Sequence, residues 1–351
     1  MRDFQCVCGQ TLYFENTVCT SCKRPLGYDP IRSDLLALEP VENLDADSLP
    51  MWTDVKSGAE YRRCFNDTEY QVCNWLVTSP QENFCHACNL NDTIPDVDSS
   101  YRANRRRRWW GRMEQAKRRL IYTLLALGLP VDGKAEHTAG LAFSFLEDQR
   151  SNPMADEEHV LTGHLQGLIT VNLAEADAIN REQARQDLGE SYRTLLGHFR
   201  HESGHYYFDK LIFKPAHFKE FRALFGDERA DYDEALEQHY AKMAEMKGES
   251  DRVSAYADMH PHEDWAECWA HYLHMTDCLE TAWQVGLLQE RLINPGTTPD
   301  IERCLEAWST EVSIAMNALN RSMGVRDSYP FVLSPNTLNK LRFVHQRIYP
   351  S

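Results

Sequence analysis

Residues 192–209 read YRTLLGHFRHESGHYYFD, and at their centre stands His201-Glu202-Ser203-Gly204-His205. In an α-helix positions i and i+4 share a face, so His201 and His205 project side by side and can bind one Zn²⁺ between them. Glu202 lies about 100° around the helix from His201. Its carboxylate therefore stands beside the open zinc position. There it can take a proton from a water whose pKa the zinc lowers to about 7. The flanks RTLLGHFR and YYFDKL support a helix that is apolar on one side. Two histidines and a glutamate buried on such a helix without a metal would leave polar groups unpaired at high cost.

A catalytic zinc of this type takes a third protein ligand and keeps a fourth place for water. A metzincin-type third ligand needs Gly at 208 and His at 211, but the chain has Phe208 and Leu211. The segment HEDWAE (262–267) instead offers Glu263 and Glu267 on one helical face. One can bind zinc while the other hydrogen-bonds an outer imidazole nitrogen. Asp209, four residues after His205, is another outer partner. His260, His262, Asp264 and His271 compete for the ligand place.

The chain has 351 residues, 42% hydrophobic and 26% charged, enough for one large domain and one or two small ones. A net charge of −16 argues against general binding to nucleic acid or anionic membrane, which needs excess Lys and Arg. No run of about 18 apolar residues occurs, and the start MRDFQCVCGQ lacks the apolar stretch of a signal peptide, so a cytoplasmic location is expected.

Eight of the 11 cysteines fall within the first 88 residues. In a reducing compartment such clusters read as metal ligands rather than disulfides. Cys6, Cys8, Cys19 and Cys22 suit one structural Cys₄ zinc site, and Cys64, Cys73, Cys85 and Cys88 a second. Closed sites of this kind carry no chemistry but hold segments too small to fold on their own cores. Cys268 reads as a core thiol.

Around these motifs the chain reads as a ribbon region over 1–98 with two Cys₄ sites, and a mainly helical domain over 99–351. An acidic, Pro-bearing connector follows residue 30, and NLNDTIPDVDSSYRAN (89–104) reads as a linker. GLITVNL (167–173) reads as a strand. Helices are expected over 105–127, 174–187, 190–208, 215–224, 228–245, 262–278, 300–322 and 335–348. The run Arg105-Arg106-Arg107-Arg108-Trp109-Trp110 is the one basic, aromatic patch. A basic run at a helix N-terminus opposes the macrodipole, so it calls for a local anionic partner on the protein itself. Contact with nucleic-acid phosphates and bases is the alternative.

The pairing of an HExxH helix with a later Glu, followed four residues on by an acid, resembles the gluzincins, the thermolysin-like and lethal-factor-like peptidases. That resemblance implies Glu263 as the ligand and Glu267 as its outer partner. It also implies a hydrogen-bonding role for Tyr256, seven residues before Glu263, toward the oxyanion. Nearly the whole chain resembles a bacterial family of zinc-binding metallopeptidases with an N-terminal zinc ribbon. The cysteine-rich start, LTGHLQGLITVNLAEAD, YRTLLGHFRHESGHYYFD and YADMHPHEDWAECWAHYLH carry this likeness. It implies an α+β, zincin-like domain in which GLITVNL forms the sheet edge that pairs with extended substrate.

The expectation is therefore a peptidase with one catalytic and two structural zinc ions. His201, His205 and Glu263 hold the catalytic zinc, with Glu202 as base. Its partners would be a peptide or protein substrate and a protein docked on the ribbons, not nucleic acid or membrane. The competing expectation is a protein- or nucleic-acid-binding ribbon module on a zincin scaffold with little turnover.

Overall fold

The computed structural model describes residues 2–42, 50–79, 81–98, 102–153, 155, 159–187, 193–243, 252–254 and 256–350. The fold is α+β, and the chain divides into two units: residues 1–125 with 130–180, and residues 126–129 with 181–351.

In the first unit a short hairpin, β1 (Phe4–Gln5) with β2 (Thr11–Leu12), precedes a five-stranded antiparallel sheet. Its strands β3 (Leu26–Asp29), β4 (Asp34–Pro40), β5 (Trp52–Asp54), β6 (Glu60–Arg63) and β7 (Leu76–Val77) lie in sequence order. Leu36, Leu38 and Leu76 form a core with Trp52 and Tyr61 packed against it. The expected connector after residue 30 thus carries strands β4, β5 and β6; residues 43–49 of it lie outside the described residues. Strands this short fall below the window in which alternation can be read.

One-turn helices α1 (Phe65–Thr68) and α2 (His86–Asn89) begin immediately after Cys64 and Cys85. β8 (Asn91–Thr93) follows, so the segment read as a linker carries a strand; its residues 99–101 lie outside the described residues. The long helix α3 (Ala103–Ala126) comes next, close to its expected span, and buries Met113, Leu120 and Leu124.

A second sheet runs in the order β10 (Gly163–Leu165), β11 (Leu168–Asn172), β9 (Ala142–Leu146), β8. Gln166 and Gly167, both at positive φ, turn β10 into β11; a Cβ on Gly167 would stand 2.2 Å from the Gly140 carbonyl oxygen. The strand expected in GLITVNL therefore forms, but not as an edge. β11 is paired on both sides, antiparallel to β10 and parallel to β9, so β10 takes the outer position.

Two arginines of the basic run meet anions within this unit. Arg105 pairs with Asp177 at 3.0 Å and Arg106 with Glu147 at 3.3 Å. The Arg105 guanidinium also lies 4.1 Å from the Trp109 ring centre, while Trp109 and Trp110 are buried. Indoles held in a core have no face free for stacking on bases.

The chain passes into the second unit within α4 (Ala178–Asp187), which a 3₁₀ turn at Leu173–Ala176 precedes. α5 (Leu195–Leu211) carries the HExxH motif and starts at Thr194, whose side chain accepts from the Gly197 N–H at 3.0 Å. The stretch 188–192, where that helix was expected to begin, lies outside the described residues.

α6 (Pro215–Phe225) and α7 (Tyr232–Met243) lead to α8 (Pro261–Gln284). α7 starts later than expected because Asp227 turns the chain there, accepting from the Arg229 backbone N–H. Its expected end at 244–245 lies outside the described residues. α9 (Ile301–Ala307) continues through a π-helical stretch (Trp308–Val312) into α10 (Ser313–Ser322), and α11 (Pro335–Ile348) spans its expected residues.

The two residues between the motif's Glu and second His dock α5 on α8. A Cβ on Gly204 would stand 2.8 Å from the Ala266 Cα, so only glycine permits this approach. The indole N–H of Trp265 donates to the Gly204 carbonyl at 2.8 Å, and that of Trp269 to Ser203 Oγ at 3.0 Å. A buried Arg200–Asp277 ion pair ties the same helices further along. No helix among the described residues is long and apolar enough to cross a membrane.

Candidate metal centre

Three groups of ligand-type side chains are brought together: Cys6, Cys8, Cys19 and Cys22; Cys64, Cys73, Cys85 and Cys88; and His201, His205 and Glu263. Within each, one donor atom per residue lies within 4.8 Å of the others.

In the first group Cys6 and Cys22 sulfurs are 3.6 Å apart and those of Cys8 and Cys19 3.7 Å. In the second, Cys73 stands 3.7 Å from both Cys85 and Cys88. A zinc–sulfur bond of about 2.3 Å gives a tetrahedral edge of about 3.8 Å. Thiolates at these separations fit a four-sulfur zinc site. The Cys85 N–H points at Cys64 Sγ and the Trp75 N–H at Cys73 Sγ, each at 3.4 Å, which suits sulfurs carrying negative charge. Cys268, outside both groups, is buried against Asp264 at 3.7 Å.

The third group joins α5 to α8. His201 Nε2 lies 2.9 Å from Glu263 Oε2, and His205 Nε2 lies 3.5 Å from Glu263 Oε1. These separations bracket the roughly 3.3 Å edge that zinc bonds of about 2.0–2.1 Å to nitrogen and oxygen imply. The other nitrogen of His201, Nδ1, lies 2.8 Å from Glu267 Oε1. One acid of the i, i+4 pair on α8 thus faces each nitrogen of a single imidazole.

Carboxylates only accept, so without metal this ring holds both protons. Burial opposes that charge, but the hydrogen bonds to Glu263 and Glu267 outweigh it and raise the His201 pKa well above 6.5. Burial likewise raises both acids, yet the His201 contacts prevail: Glu263 falls well below the usual carboxylate range and Glu267 to about 2. A metal ion held by His201 Nε2 and Glu263 would take the place of one of these protons.

Glu202 is half-buried, and its carboxylate makes no hydrogen bond or ion pair among the described residues. Tyr256, on a 3₁₀ turn (Tyr256–Asp258), has its ring centre 5.8 Å from that of His201. Burial and then the Glu263 charge push the Tyr256 phenol far above 10. It stays protonated as a donor.

The competing ligand residues are engaged elsewhere. His260 caps α8, accepting from the His262 N–H at 3.1 Å. His262 packs edge-on to Phe208 at 4.4 Å. Asp264 is buried in an ion pair with Lys340 at 2.6 Å, and His271 meets the Tyr329 hydroxyl at 2.7 Å. Asp209 is exposed overall, but partial desolvation of its carboxyl raises its pKa despite the opposing pull of His205. The residue that sequence reasoning missed is Tyr232, whose hydroxyl donates to Glu263 Oε1 at 3.0 Å. It arrives from the start of α7, and no motif spacing points to it.

Comparison with known proteins agrees with this donor chemistry. A zinc-ribbon domain model matches residues 3–99, and a model described as "Putative zinc-binding metallo-peptidase" matches residues 106–347. The chain is 41% identical over 353 residues to uncharacterized proteins of Mycobacterium bovis and of two strains of Mycobacterium tuberculosis, covering 98% of this chain and 94% of each relative. No solved structure matches it. The chain thus belongs to this family of zinc-binding metallo-peptidases and carries the zinc-ribbon domain at its N-terminal end.

Proposed function

We propose that the chain is a zinc-dependent peptidase of the HExxH, gluzincin-like kind. In this reading His201, His205 and Glu263 hold one zinc ion, and the two cysteine quartets hold a structural ion each. The observation that carries it is the donor set itself: two imidazole nitrogens and a carboxylate converge from two helices, one donor short of a tetrahedron. Bound there, the ion supplies Lewis-acid polarisation, bringing the pKa of a water near 7.

Glu202 does the proton work. Its carboxylate oxygen accepts the proton of the attacking water and later delivers it to the nitrogen of the leaving amine. Tyr256 donates its phenolic hydrogen to the carbonyl oxygen as charge develops there. Glu267 fixes the His201 ring through Nδ1, so that Nε2 faces the metal.

Glu202→Gln keeps the size and removes the base. The expected result is an unchanged zinc content with cleavage of a peptide library slowed by about 10²–10⁴-fold. Undiminished cleavage contradicts the role of Glu202. A zinc-loaded wild type that cleaves nothing would favour a binding module instead.

A further inference from the structure

Tyr232 touches a proposed metal donor without belonging to the motif, to α8 or to the Tyr256 turn. Its hydroxyl proton goes to Glu263 Oε1, the oxygen that also lies 3.5 Å from His205 Nε2. A carboxylate cannot donate, so the phenol must. With its single proton committed to Glu263, the Tyr232 oxygen can only accept from any further group.

The turn that presents Tyr232 is itself braced. His260 Nδ1 accepts from the His262 N–H, which leaves the proton on Nε2; that nitrogen donates to the Ala230 carbonyl at 3.1 Å. The same ring packs on Tyr232, with centroids 5.3 Å apart. His260 therefore ties the start of α8, one turn from Glu263, to the residues just before α7.

We propose that Tyr232 is a positioning residue of the metal site, one that fixes the Glu263 carboxylate from outside the donor set and so sets how tightly the triad holds zinc. The inference rests on the reading that the triad binds zinc. A glutamate has three side-chain torsions to order before it can serve as a ligand. A hydrogen bond from a braced phenol orders them in advance and adds no charge to offset that of the carboxylate. Partners of this kind change metal affinity by roughly 10–100-fold.

The test is zinc affinity of the full chain, measured by competition with a chelator, for wild type, Tyr232→Phe, Tyr256→Phe and His201→Ala. Tyr232→Phe is expected to weaken the most labile zinc about 10–100-fold. Tyr256→Phe is expected to change that affinity far less than Tyr232→Phe. The melting temperature of the metal-free Tyr232→Phe protein should match that of metal-free wild type. An unchanged affinity in Tyr232→Phe overturns the proposal. So does a matching loss of metal-free stability, since the hydroxyl would then serve the fold. If His201→Ala loses no zinc, the triad reading itself fails, an outcome distinct from either.

Discussion

The second cysteine quartet and the His201–His205–Glu263 triad gather metal-type donors in opposite ways. All four cysteines are buried, and they come from loop residues and the starts of one-turn helices. Cys73 Sγ stands 3.7 Å from both Cys85 and Cys88, and thiolates this close repel one another unless an ion offsets their charge. The triad instead sits on two long helices whose spacing is already set by Gly204 against Ala266 and by the indoles of Trp265 and Trp269. If both sites hold zinc as proposed, the quartet should depend on its ion for its fold more than the triad, whose helices are already packed on each other. The charges follow the same division. Four thiolates around a divalent ion would leave a net negative charge, and the buried Arg118, whose guanidinium donates to the Val72 carbonyl at 2.6 Å, has its pKa raised against the effect of burial by Cys73, then Glu114 and Cys88. Around the triad the negative charge sits instead on Glu202, Glu263 and Glu267, the groups the proposed chemistry uses.

Cys73→Ser tests the first half of this contrast and should have the largest effect. Losing one buried thiolate removes most of the zinc-binding free energy, about 10–16 kcal/mol for structural sites of this kind. The expected outcome is loss of that zinc together with loss of the fixed environment of Trp75, read by near-UV circular dichroism. A Cys73→Ser protein that keeps its near-UV signal would show that the ribbon stands without the metal.

Lys340→Met tests the second half. Lys340 and Asp264 are almost wholly buried and 2.6 Å apart, linking α11 to α8 beside Glu263. Removing the cation leaves the buried carboxylate with the more distant Arg252, at 3.6 Å, and the Cys268 thiol, a change that costs up to about 3–5 kcal/mol. The unfolding free energy of the metal-free protein should fall by that amount, and its melting temperature should fall with it. An unchanged melting temperature would mean that the helices are not what holds the triad.

Acid should separate the regions more gently. His271 is buried against Tyr329, and burial pushes its pKa from 6.5 down to about 4. Between these values the unfolded chain binds a proton that the folded chain does not. The stability from His271 is therefore complete above 6.5 and is lost as the pH falls from there through about 4. The full difference is roughly 3 kcal/mol. Melting of the metal-free protein should fall across that interval, and His271→Gln should flatten the fall. An equal slope in the variant would remove His271 from the account.

The helical half of the molecule was readable because its apolar periodicity runs over many residues. α3, α6 and α11 lie within a residue or two of expectation. The motif spacing likewise pointed to His201, Glu202, His205 and the acid pair on α8. The sheets were not readable in the same way. β5 and β8 are three residues long, too short to show alternation, and β8 lies in a Pro- and Asp-containing stretch that looks like linker. β11 was visible as a β-branched run, but whether a strand is an edge depends on its neighbours, and β10 showed no such run. Tyr232 was out of reach because its contact with Glu263 depends on how the turn before α7 meets the start of α8.

The central claim is that the triad is a metal site of its own, separate from the quartets. Zinc content per chain, measured in wild type and in His201→Ala, tests it most directly. With three donor groups, the account predicts close to three zinc ions in wild type and two in the variant, with the ribbon intact. Equal zinc content in both proteins would contradict it.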